Sequence, residues 1–84
     1  MEIIESTLPF EMVKTFKDII AGAFEYANNY ESKYIVKRLE DIYGTTRYNF
    51  CCVVGKFNSY YQYNSNIYFR CKYKGKSIDI WNGR

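Results

Sequence analysis

The feature that most constrains this chain is a change of hydrophobic period at Gly44. Before it, apolar residues recur in steps of three and four. Phe10, Val13, Phe16, Ile20, Ala23, Phe24 and Ala27 fall on one helical face, and Lys14, Asp18 and Glu25 fall on the other. Thr7 and Pro9 mark the start of this helix, as a capping hydroxyl and as a proline tolerated in the first turn. "NNY" at 28–30 interrupts the pattern. A second helix follows, with Ser32 as its cap, Ile35, Leu39, Ile42 and Tyr43 as its apolar stripe, "KRLED" as its solvated face and Gly44 as its stop.

After Gly44 the period is two. "RYNFCCVV" (47–54) sets Tyr48, Phe50, Cys52 and Val54 against Asn49, Cys51 and Val53, and Gly55 and Lys56 break it. In the next strand, 57–63, Phe57, Ser59, Tyr61 and Tyr63 share one face, and Asn58, Tyr60 and Gln62 the other. Both faces carry aromatics, whereas a half-exposed strand keeps one face polar. A partner or a second subunit would cover the second face. "NSN" (64–66) reads as a turn. "IYFRCKY" (67–73) alternates Ile67, Phe69, Cys71 and Tyr73 with Tyr68, Arg70 and Lys72. "KG" then turns the chain into 76–81, which points Ile78 and Ile80 inward. With "EIIES" (2–6) as an opening strand, the order is strand, helix, helix, then four strands. Consecutive helices followed by consecutive strands predict an α+β fold with an antiparallel sheet.

The 84 residues predict a single domain, 1–84. With 48% hydrophobic and 20% aromatic residues, so short a chain carries more apolar surface than one small core absorbs. That again points to a partner, and it excludes a disordered chain. The net charge of +3 is scattered and gives little support to nucleic acid as a partner. Three cysteines, an odd number without C-x-x-C spacing, argue for reduced thiols in a cytosolic protein over a secreted disulfide scaffold. Histidine is absent, which removes His-based catalysis and His metal ligands; no metal or cofactor is expected. The start lacks the basic segment and apolar run of a signal peptide, and no stretch reaches the ~20 residues of a membrane span. The few carboxylates fall mostly on helix surfaces, and no base pairs with a Tyr or Cys, so the chain reads as non-enzymatic. An alternative is a single-stranded nucleic-acid-binding aromatic sheet, since "KFNSYYQY" superficially matches an RNA-recognition strand. That module, however, alternates β-α-β-β-α-β, and the helices here are back to back.

Five segments in order, "TLPFEM" (7–12), "AFEYANN" (23–29), "IVKRLEDIY" (35–43), "YNFCCVVGKFNSYYQY" (48–63) and "IYFRCKYKG" (67–75), resemble the small dynein light chains of the eight-kilodalton class, of which this would be a divergent member. The resemblance implies a homodimer in which the strand at 57–63 is exchanged between subunits. It also implies an open sheet edge beside the partner's second helix, where short extended segments add as a strand. The peptide-binding residues it implies are Ser32, Lys33, Phe57, Asn58, Ser59, Tyr60, Tyr61, Gln62 and Tyr63, with Phe69, Cys71 and Tyr73 as the groove floor. Cys51, Phe57, Ser59, Tyr60 and Tyr61 would form the dimer interface. Implied partners are the dynein intermediate chain and other proteins with short linear motifs, in the cytoplasm at microtubules, with neither nucleic acid nor membrane. From the residues alone, Ser32 reads first as an ordinary N-cap, a role compatible with a ligand contact, and Lys33 as a solvated charge.

The chain also departs from the pattern. Asn58 stands for a glycine, and one residue before Phe57 is missing, both within the strand that the exchange and the groove need. Tyr63 replaces a histidine, Cys71 a tyrosine, and Ser32 an acidic residue, with Glu31 adjacent. Cys51 stands where the family has a histidine near the dimer axis. A dimer lacking a histidine-driven switch between pH 5 and 7 is therefore expected, with Cys51 either a buried thiol or disulfide-bonded to its symmetry mate.

Overall fold

A computed structural model of the chain describes residues 1–46, 48–55 and 67–83. The described elements are strand β1 (Glu2–Ser6), helices α1 (Phe10–Tyr26) and α2 (Glu31–Tyr43), and strands β2 (Phe50–Gly55), β3 (Tyr68–Tyr73) and β4 (Lys76–Asn82). They follow the α+β order read from the sequence. The strands form one antiparallel sheet in the order β1-β3-β4-β2. The predicted strand at 57–63 and the turn at 64–66 lie outside the described residues.

Both helices pack on one sheet face. Phe16, at the centre of α1, is fully buried, and its ring lies 5.6 Å from Phe69, 6.3 Å from Phe50 and 6.3 Å from Tyr43. Ile20 and Ala23 of α1, Ile35 and Leu39 of α2, and Cys71, Ile78 and Ile80 of the sheet complete this core. The period-two reading places the strand residues correctly: Tyr48, Phe50, Cys52 and Val54 pack inward while Val53 is exposed. Ile19 is buried beside the stripe read from α1, and Ile42, read as part of the α2 stripe, is exposed.

Both helix starts differ from expectation. Pro9 is the N-cap of α1, one residue before the first turn, and no side chain caps it. Thr7 serves the sheet instead. Its N–H donates to the Tyr68 carbonyl at 2.9 Å, and its hydroxyl accepts the Tyr68 N–H at 2.9 Å. A strand-to-strand clamp thus outcompetes the cap. In α2 the cap position is Tyr30, and Ser32 lies inside the first turn. Gly44 ends α2 as expected, at φ +82° and ψ 176°, a region open essentially to glycine alone. The β3–β4 hairpin turns on Lys74 and Gly75, both at positive φ (49° and 77°), the pattern of a type I′ turn.

On the outward face, Asp79 is also fully buried. It sits opposite Arg70 across the β3–β4 ladder and accepts from its Nε at 3.3 Å and its Nη2 at 3.0 Å. A buried carboxylate is tolerable only with such a bidentate charged partner. The Tyr68 phenol beside them is pushed up to about 12, first by desolvation and then by the charge of Asp79.

Candidate functional site

The concavity of interest runs along α2 where that helix crosses β2. It measures about 710 Å³ and is lined by Ala27, Tyr30, Ser32, Lys33, Tyr34, Val36, Lys37, Glu40 and Cys52. Its position follows from the helix geometry. Glu31, Ile35 and Leu39 turn one side of α2 into the core, so Lys33, Val36, Lys37 and Glu40, spaced i, i+3, i+4 and i+7, fall together on another side. Cys52 supplies the sheet side. Its thiol is held far above the ordinary range by desolvation, then by the charge of Asp79, so it acts as an apolar surface there.

Beside this groove lies a sheet edge. β2 pairs with β4 over all six of its residues, from Phe50↔Asn82 to Gly55↔Ser77. Among the described residues nothing pairs with its other edge. Alternate residues of an antiparallel strand direct their N–H and C=O groups to that side, where an extended segment can complete the ladder.

The α2 N-terminus is occupied by the protein itself. Glu31 is buried, and its Oε2 lies 3.6 Å from Lys76 Nζ. Its carboxyl is held below the ordinary glutamate range, chiefly by its own backbone N–H, then by the Asn29 N–H and the Lys76 charge, against the opposing effect of burial. Lys76 also lies 5.8 Å from the Phe24 ring, which stacks edge-on against Tyr73 at 5.2 Å.

The sequence-predicted site residues therefore separate. Ser32 and Lys33 line the groove. Phe69 and Cys71 do not: both are fully buried beneath the helices, and Tyr73 is half-buried against Phe24. β4 stands between their strand and β2, so they belong to the core rather than to the floor of this groove. Burial pushes the Cys71 thiol up to about 11. Cys51 is a half-buried free thiol on the outward face, its Sγ 3.9 Å from the Asn49 carbonyl. Phe57, Asn58, Ser59, Tyr60, Tyr61, Gln62 and Tyr63 lie outside the described residues. Groove residues missed by sequence reading are Ala27, Tyr30, Tyr34, Val36, Lys37, Glu40 and Cys52. The i, i+3, i+4, i+7 spacing on α2 was the available signal. Among the described residues, no three His, Cys, Asp or Glu side chains come together as a metal site, and no helix is long and apolar enough to cross a membrane.

The architecture can be compared with known ones. The chain is similar to the dynein light chain-like domain of the calcium-binding protein FhCaBP2 from Fasciola hepatica, with a TM-score of 0.63 and 17% identity over 95% of this chain and 87% of that one. The fold is dynein light chain-like. A mercury derivative of the same Fasciola domain gives a TM-score of 0.62 at 15% identity, over 95% of this chain and 88% of that one. At such identities the likeness is one of fold. No protein-family model matches the chain, and no curated protein does. In terms of the dynein light chain-like fold, the groove lies between the second helix and the edge strand of the sheet.

Proposed function

We propose that this chain is a non-enzymatic, homodimeric adaptor of the eight-kilodalton dynein light chain kind. It would hold short extended segments of other proteins, the dynein intermediate chain among them, by adding them as strands. The observation that carries this reading is the β2 edge open among the described residues beside the α2 groove. Main-chain bonds along such an edge give affinity whatever the guest's sequence, and the groove side chains select. Dimerisation is supported by the outward face near that edge, where Val53 is 41% exposed and half-buried Cys51 and Trp81 are cross-strand neighbours. Two grooves in one dimer would clamp two copies of a client with gain by avidity. The proposed setting is the cytoplasm, at microtubule-based motors.

The test is a binding screen of extended peptides, with and without a Thr-Gln-Thr core, coupled to a measurement of mass in solution. Saturable binding by a species of twice the chain mass supports the reading. A monomer that binds no peptide but retains oligonucleotides, with a steep salt dependence, sinks it and revives the nucleic-acid alternative.

A further inference from the structure

The α2 wall of the groove has an electrostatic direction. Of its charged residues, Lys37 is engaged by Asp41 at 3.3 Å. Lys33 and Glu40 have no ionic partner among the described residues. They stand at opposite ends of the wall, the cation towards the N-terminus of α2 and the anion towards its C-terminus. The helix dipole has the same sense, positive at the N-terminal end and negative at the C-terminal end. Seven residues of helix separate the two charges by ~10 Å, between the ~7 Å and ~13 Å that separate same-face residues two and four apart on an extended strand, and within reach of long side chains at the wider spacing. Between them the lining is Tyr34, Val36 and Cys52, together with Lys37, whose charge Asp41 answers.

Resting on the reading of this groove as a peptide site, we propose that it selects extended segments of matching charge polarity. Such a segment has an acidic residue at the Lys33 end, a basic residue four positions away at the Glu40 end on the same face of the strand, and an apolar side chain between them on that face. The opposite order brings like charges together at both ends. A nucleic-acid strand, negative throughout, would meet Glu40.

Calorimetric titration of the full chain with three ten-residue peptides tests this. They share one apolar, β-branched frame. One has Glu before Lys four positions apart, so that both share one face of the strand, one has the two exchanged, and one has Gln at both. One charged order is expected to bind about fivefold more tightly than the Gln peptide at low salt and the other more weakly, with the spread collapsing at about 0.5 M salt. Lys33→Gln should abolish the contribution of the peptide's Glu, and Glu40→Gln that of its Lys. Equal affinities for the two orders overturn the proposal while the groove reading stands. If none of the three peptides nor the broader screen binds, the groove reading falls and this inference falls with it.

Discussion

Asp79 shows how much a single residue can depend on its neighbour. It carries a charge at zero exposure on the sheet face opposite the helices, held by both nitrogens of the Arg70 fork. Removing the guanidinium leaves the fully buried carboxylate without its ion pair, so Arg70→Met should cost ~3–5 kcal/mol, while the paired change Arg70→Met with Asp79→Leu should cost far less. Urea unfolding of the single and the double would show this; a double as damaging as the single would contradict it. Period-two alternation put Asp79 on the outward side, but alternation reports which face a residue occupies and not what covers that face. Glu31 is the second charged residue whose setting sequence could not show. Its lowered carboxyl means that the folded state holds the ionised form more tightly than the unfolded chain does. The resulting stability is present in full above the ordinary glutamate range, ~4.3, and is lost as pH falls through the lower folded value. Urea midpoints below about pH 5 should therefore fall less steeply in Glu31→Gln than in the parent chain. Parallel profiles would show that Glu31 contributes nothing.

At the scale of elements, periodicity gave the order and most of the core, and the ends were where it failed. Ser32 and Thr7 have the right chemistry for caps, but Glu31 begins α2 one residue earlier, and Thr7 is drawn to the Tyr68 backbone by the sheet. The Thr7 outcome depends on Tyr68, 61 positions away, and Glu31 also meets Lys76, 45 positions away, contacts that no local pattern contains. Gly44 was legible because its role is local. No atom lies within 4 Å of where its Cβ would stand, so Gly44→Ala introduces no clash and only the forbidden backbone region. The substitution should cost ~1–3 kcal/mol, read as a lowered thermal midpoint with an unchanged far-ultraviolet dichroism spectrum. A midpoint equal to that of the parent chain would mean that α2 ends differently in solution. The candidate site was legible in the same uneven way. Lys33 and Ser32 were found through the resemblance. Phe69, Cys71 and Tyr73 came through the same resemblance as the groove floor, but the strand order places β4 between β3 and the β2 edge.

For the whole molecule, the question is what the outward face and the β2 edge do in solution. The proposed dimer would bury Val53 and its neighbours Cys51 and Trp81 against a second copy. Val53→Asp should then shift the chain to a monomer at micromolar concentration, since an unpaired carboxylate at an apolar interface is costly to desolvate. The acid response of that dimer follows from what the sequence lacks. Between pH 5 and 7 the side chain that ordinarily changes charge is histidine, and the chain has none. Glu31 titrates below that window, since its carboxyl is lowered, and the buried thiols of Cys52 and Cys71 titrate above it, since theirs are raised. Sedimentation velocity at fixed concentration should therefore give one mass across pH 5 to 7, with dissociation only where carboxylates begin to protonate. A sharp transition near pH 6 would require a group titrating in that window and would overturn the prediction.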